Sequence, residues 1–139
     1  MDQIKLGFIG LGGRGSGLAD LVADMEDVHI AAVCDLHQDR VDKKIERLQE
    51  KQGYRPDGYL DYHELLARGD LQGVVIASSW TTHVEISLAT MRAGIYAASE
   101  VGGASSIQEC WELVHVSQET GVPFMLLENC CYGREEMAI

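Results

Sequence analysis

Basic side chains are scarce in this chain. Eleven Lys and Arg stand against 22 Asp and Glu among 139 residues, a formal charge of −11, and no basic cluster interrupts the acidic balance. Bulk electrostatics therefore exclude nucleic acid and anionic membrane surfaces as partners. No apolar run approaches the roughly 18 residues of a membrane span, and the sequence enters a strand-like run almost at once, so no signal peptide is expected. A cytoplasmic location is the expectation. Four cysteines occur, Cys34, Cys110, Cys130 and Cys131, but none forms CxxC and no histidine stands at zinc-ligand spacing from them. No metal site is expected. Cys34 and Cys110 fall in apolar patterns and read as core residues. The adjacent Cys130 and Cys131 would point to opposite faces of a strand. Repeats, low-complexity tracts and internal linkers are also lacking. With 46% apolar and 24% charged residues the chain has the make-up of one ordinary globular domain, large enough to build a core without staples.

What the chain does have is glycine in a meaningful order. An apolar run from Ile4 to Ile9 leads into Gly10-x-Gly12-x-x-Gly15, with Gly13 and Arg14 inside the loop. Leu18, Leu21, Val22 and Met25 then repeat at i, i+3, i+4, i+7, one face of a helix. A second strand-like run, Val28 to Cys34, ends in Asp35, 20 residues beyond Gly15. Strand, Gly-rich turn, helix, strand and acid is the order a dinucleotide-binding unit needs. Gly10 allows the tight turn, Gly12 lets backbone approach a pyrophosphate, and Gly15 lets the helix pack on the strand. The helix N-terminus faces the phosphates with its positive dipole end. Asp35 would hold the adenosine ribose hydroxyls and repel a 2′-phosphate, so NAD is expected over NADP. Its bland alternative is a solvated acid at a strand end. A methyltransferase also combines a Gly-rich loop with a strand-end acid, but the full GxGxxG favours a dinucleotide.

The rest of the chain alternates in the same way. A charged helix is expected from Asp39 to Gln52, with Val41, Ile45 and Leu48 inward and Gly53 as its stop. Tyr54 to Tyr59 reads as a loop with room for a short strand. Asp61 caps a short helix from Tyr62 to Arg68, closed by Gly69. Gly73 to Ser78 is a continuous apolar run, the mark of a strand buried on both faces of a parallel sheet. A helix from Thr82 to Ala93 follows, with a seam of Val84, Leu88 and Met91 and a stop at Gly94. Ile95 to Ser99 is the next strand, ending at Glu100. Ser106-x-x-Glu109 is a capping box opening a helix in which Ile107, Trp111 and Val114 repeat, up to Gly121. Val122 to Leu127 is the final strand, and Gly133 to Ile139 reads as the first turns of another helix. The expected architecture is α/β, a single-domain doubly wound parallel sheet of the Rossmann type. Ligands of such sheets lie off the carboxyl ends of the strands. The candidate residues are therefore Gly10 to Gly15, Asp35, Ser78 to His83, Glu100 to Gly103 and Glu128 to Tyr132.

Those strand ends resemble the cofactor domain of the Gfo/Idh/MocA family, relatives of glucose–fructose oxidoreductase and inositol dehydrogenase. The resemblance runs through GLGGRG at 10–15, VCD at 33–35, YLDYHELL at 59–66, VVIASSWTTH at 74–83 and RAG at 92–94. It implies an NAD-dependent oxidoreductase that transfers hydride to or from a sugar or polyol. Family dehydrogenases carry Glu-Lys-Pro after the fifth strand, and that lysine assists proton transfer. Here the positions read Glu100-Val101-Gly102, and a valine can move no proton. A Glu-Val variant followed by Leu-Glu-Asn-Cys-x-Tyr also resembles the branch of NAD-dependent α-N-acetylgalactosaminidases, which Leu127 to Tyr132 matches in outline.

By that resemblance Ser78, Ser79, Trp80, His83, Glu100, Val101 and Asn129 stand at the cofactor, and Glu100 and Tyr132 are the catalytic candidates. Each has a plainer alternative. His83 can be a neighbour of a helix cap, Trp80 a shield over a helix end, and Tyr132 a surface tyrosine after a last strand. The resemblance further implies a substrate domain beyond this chain and a possible homo-oligomer. A non-catalytic nucleotide-sensing domain is the alternative that the missing lysine favours.

Overall fold

The computed structural model describes residues 3–138. Six strands form one all-parallel sheet in the order β3-β2-β1-β4-β5-β6: β1 Ile4–Ile9, β2 Val28–Cys34, β3 Asp57–Tyr59, β4 Gly73–Ile76, β5 Tyr96–Glu100 and β6 Phe124–Leu127. The helices are α1 Gly13–Val22, α2 Gln38–Gln52, α3 Tyr62–Leu66, α4 His83–Arg92 and α5 Ile107–Thr120, with a 3-10 turn at Trp80–Thr82 leading into α4. This is the expected doubly wound Rossmann-type sheet. The chain reverses its direction of winding between β1 and β4, and that is where such sheets open a crevice.

Side-chain alternation along the strands divides the core into two layers. Phe8, Ile30 and Val33 meet Val41, Ile45 and Leu48 of α2 and Ala19 of α1 on one face. Ile9, Cys34, Val74 and Ile76 meet α3, α4 and α5 on the other. Ile30 and Val33 are three residues apart and would alternate to opposite faces in a regular strand. A register shift in the β1–β2 ladder lets them share one: Leu6 pairs with Ile30 but Gly7 with Ala32, leaving Ala31 as the extra residue of a bulge.

The local signals held at most ends. Asp61 accepts the His63 N–H at 2.9 Å. Ser106 and Glu109 form the reciprocal capping box. Gly53, Gly69, Gly94 and Gly121 all sit at positive φ, between 68° and 79°, where helices close.

Two helix faces are corrected. In α1 the buried residues are Gly15 and Ala19, Leu18 and Val22 are half-buried, Leu21 is exposed, and Met25 lies beyond the helix and is exposed too. Small residues do the packing here because the helix presses close to the first strand's turn. In α5 Leu113 and Val116 are buried, whereas Ile107, Trp111 and Val114 lie on the outer face. Cys110, expected in the core, is exposed on the same helix. After β6 the chain forms a 3-10 turn at Asn129–Tyr132, rather than a strand that would point Cys130 and Cys131 to opposite faces, and another at Glu136–Ala138 in place of the α-helix expected from Gly133. Ile139, the last residue of that expected helix, lies outside the described residues.

Candidate functional site

The phosphate-loop geometry follows from what each glycine's missing Cβ would strike. At Gly10, where φ is +92°, a Cβ would sit 2.5 Å from the Ala77–Ser78 backbone. At Gly15 it would sit 2.0 Å from the Gly10 carbonyl oxygen and 3.0 Å from the Ala77 side chain. These two glycines seal strand, turn and helix together. Gly12 is different, since nothing lies within 4 Å of its absent Cβ. It is the N-cap of α1, with no side-chain cap, so the first N–H groups of the helix are left facing open space. A glycine that the protein's own packing does not require, at an uncapped helix N-terminus, fits a phosphate approaching the backbone.

Off the carboxyl ends of β1, β2 and β4 lies a cleft of about 690 Å³. Gly10, Gly12, Asp35, Ser78, Ser79 and Thr82 all line it, so the structure brings six of the candidates together. Asp35 is buried and its carboxylate is fixed from two sides. The Leu11 N–H donates to Oδ2 at 2.7 Å and the His37 N–H to Oδ1 at 3.0 Å. Each oxygen keeps a second lone pair for a hydroxyl donor. The Arg40 guanidinium stands 3.6 Å from Oδ1, so the carboxylate is not a bare negative charge. Cys34 also lines the cleft, and burial, reinforced by Asp35, pushes its thiol up to about 12, which keeps it neutral.

A second group assembles beside the loop. Arg14, at the start of α1, donates from Nε to Glu100 Oε1 at 3.0 Å, with Nη2 at 2.9 Å from the same oxygen. The same Nη2 donates to Asn129 Oδ1 at 3.3 Å. Glu100 is buried at the tip of β5 and Asn129 opens the turn after β6. One arginine therefore ties the Gly-rich loop to the ends of the two outer strands.

The other candidates are placed as follows. Gly13 is exposed on the first turn of α1, facing a groove toward α2 rather than the cleft. Trp80 lies against Gly102, where a Cβ would meet its ring at 2.7 Å, so it covers the loop after β5. Val101 is half-buried in that loop. His83 is buried, with Nε2 3.1 Å from the Ser78 carbonyl and Nδ1 without a partner among the described residues. It supports the β4 turn from within and does not line the cleft. Tyr132 is exposed at the end of its turn.

Sequence reasoning passed over the outer wall of the cleft. Leu36, Leu60, Tyr62, Glu85 and Ile86 line it, and Leu36 is 86% exposed. An apolar residue directly after the strand-end acid was the available signal.

Comparison with known proteins places this geometry. The profile of an oxidoreductase family with an NAD-binding Rossmann fold, Gfo/Idh/MocA, matches residues 4–127. The chain belongs to the Gfo/Idh/MocA oxidoreductase family. It carries the NAD-binding Rossmann domain of that family, and NAD is the cofactor of that fold. Among curated relatives, the α-N-acetylgalactosaminidase of Shewanella oneidensis is 35% identical over 143 residues, covering 100% of this chain and 31% of the relative. Glycosyl hydrolase family 109 protein 1 of Shewanella sp. strain ANA-3 is 36% identical with the same coverage. The chain thus spans about a third of the length of the curated relatives it matches. The scyllo-inositol dehydrogenase of Lactobacillus casei, solved with NAD(H) and scyllo-inositol, aligns with a TM-score of 0.86 at 19% identity, over 96% of this chain and 38% of that one. The myo-inositol 2-dehydrogenase of Lactobacillus plantarum gives 0.81 at 21% identity with the same coverage. At these identities the solved structures share the Gfo/Idh/MocA fold. Among the described residues no helix is long and apolar enough to cross a membrane, and no cluster could hold a metal ion.

Proposed function

We propose that this domain holds NAD with its pyrophosphate at Gly12 and the α1 N-terminus and its adenosine ribose on Asp35, as part of an enzyme acting on a sugar or polyol. The observation that carries this reading is the cleft that joins Gly10, Gly12, Asp35, Ser78 and Ser79. When bound, NAD supplies a hydride acceptor. The chain's own part is to orient it: two N–H groups pin Asp35 for the ribose diol, and Arg14 fixes Glu100 and Asn129 on the side where the nicotinamide would lie. On this reading Glu100 and Tyr132 are the residues nearest the chemistry. A substrate domain follows this one in the whole protein, which works in the cytoplasm and forms homo-oligomers. Titration calorimetry with NADH and NADPH tests the cofactor placement. NADH binding that falls about tenfold in Asp35→Ala, from loss of hydrogen bonds to a charged group, supports it. Unchanged affinity in that variant refutes the role of Asp35.

A second reading is favoured by Val101 and by the identity to the glycosyl hydrolase family 109 proteins. In it the carbon bearing a sugar hydroxyl would give up a hydride to NAD as the hydroxyl loses its proton, the ketone so formed would acidify the neighbouring C–H for elimination of the glycoside, and addition of water and return of the hydride would complete the hydrolysis. The protein would then hydrolyse a nitrophenyl α-N-acetylgalactosaminide without net oxidant. A dehydrogenase would instead accumulate NADH with its sugar.

A further inference from the structure

The far end of the cleft carries a polar arrangement that neither the phosphate loop nor Asp35 accounts for. Tyr62, the first residue of α3, donates from its hydroxyl to Glu85 Oε1 of α4 at 2.7 Å. Both residues line the cleft, and the apolar side chains of Leu36, Leu60 and Ile86 line it with them. Burial, and then the hydrogen bond to Glu85, raise the Tyr62 hydroxyl to about 12, so it stays a donor at neutral pH. One carboxylate oxygen of Glu85 is thereby occupied and the side chain is held in place. Among the described residues no donor reaches the other oxygen. Asp61, the other acid lining this end, is likewise held through one oxygen, which accepts the His63 N–H as a helix cap.

A mostly apolar cleft wall that ends in an oriented carboxylate with one oxygen open suits a heteroaromatic ring with an amine on its edge. With the ribose on Asp35, the base of the dinucleotide extends toward this end. Adenine presents its 6-amino group as a donor, whereas hypoxanthine presents a 6-oxo acceptor that a carboxylate repels. We propose that Glu85, positioned by Tyr62, accepts a hydrogen bond from the adenine 6-amino group and makes the site selective for adenine over hypoxanthine dinucleotides. The proposal rests on the placement of NAD in this cleft.

The test is calorimetric titration of the chain with NADH and with reduced nicotinamide hypoxanthine dinucleotide. The two differ only at position 6 of the purine and its N1 proton. The unsubstituted chain is expected to prefer NADH by about tenfold, as for a hydrogen bond to a charged group. Glu85 is exposed on α4, so Glu85→Gln keeps the fold. Its carboxamide can turn either its oxygen or its NH₂ toward the ring, and the preference should fall to within about twofold. Tyr62→Phe should give an intermediate preference, because it frees the carboxylate to rotate. Equal affinities in the unsubstituted chain, or a preference that survives Glu85→Gln, would overturn the role of Glu85 while leaving the dinucleotide site standing. Failure to bind either nucleotide would instead overturn the placement of NAD itself, and this inference with it.

Discussion

The two flanks of the sheet are built to different standards of closure. On the β3 side, α2 buries Val41, Ile45 and Leu48 beneath a lattice of ion pairs to α1 and the turn after it: Lys44 and Arg47 on Asp20, and Lys51 on Asp24. The edge strand there is three residues long and guarded by Arg68, which pairs with Asp57 and Asp70. On the β6 side the edge strand has no fully buried residue, Met125 and Leu126 are exposed, and α5 turns Ile107, Trp111 and Val114 outward. Short, charged edges resist unwanted pairing, and apolar ones invite it. Yet both edge strands pair with their neighbours in unbroken parallel register. Regular secondary structure and complete burial are therefore separate achievements of this sequence, and the β3-side half has both.

Substitutions can break or sharpen that contrast. The largest effect is expected at the seam between the flanks. Gly15→Ala puts a methyl 2.0 Å from the Gly10 carbonyl oxygen and should cost about 3 kcal/mol in urea unfolding, at the upper end for overpacking. Gly12→Val, three residues away in open space, should leave the urea midpoint alone and abolish NADH binding. Equal stability losses at the two positions would erase the distinction between a packing glycine and a binding one. Next comes Leu113→Ala, the buried anchor of α5, at about 2–3 kcal/mol.

A smaller effect separates the flanks by pH. Burial alone would raise the Asp20 carboxyl, but hydrogen bonds from Lys44 and Arg47 outweigh it and hold the group below the usual carboxylate range. A carboxyl depressed on folding adds stability above its unfolded value, about pH 4, and that contribution disappears as pH falls through the lower folded value. Asp20→Asn should therefore flatten the acid limb of a stability–pH profile and, because it leaves the buried Lys44 ammonium without a counter-charge, cost about 1–2 kcal/mol at pH 7. The smallest effect is Trp111→Ala on the outer face of α5, below about 0.5 kcal/mol in dilute solution. A cost as large as that of Leu113→Ala would mean that this face is covered after all.

What could be read from the amino acids divides along similar lines. Gly10, Gly12, Gly15 and Asp35 announced their places because turn chemistry and strand-end acids are local signals. So did the stops at Gly53 and Gly121 and the Ser106–Glu109 box. Helix faces were harder. Periodicity ranks residues by apolarity, so it picked Leu21 and Met25 over Gly15 and Ala19, although close approach of α1 to the turn favours the smallest side chains. It picked Ile107 and Trp111 for the same reason, since nothing local reports which face a sheet will cover. The Ala31 bulge was invisible, because it is a property of the pairing of β1 with β2. The Tyr62–Glu85 wall joins residues 23 apart on two helices and needed the fold to bring them together.

The seal of Gly10 and Gly15 against Ala77 also has a bearing on how the molecule comes into being. The loop takes its final form only once β4 has docked beside β1, and parallel neighbours cannot pair until the intervening crossovers exist. As this domain emerges from the ribosome its glycine motif therefore appears first but gains its shaped turn only after Ala77 and Ser78 have emerged. Arg14 finds Glu100 later still, and Asn129 last. Cofactor present during synthesis can reward only the later stages of this assembly, and substitutions around Ala77 should slow the acquisition of nucleotide affinity during refolding more than the appearance of helix.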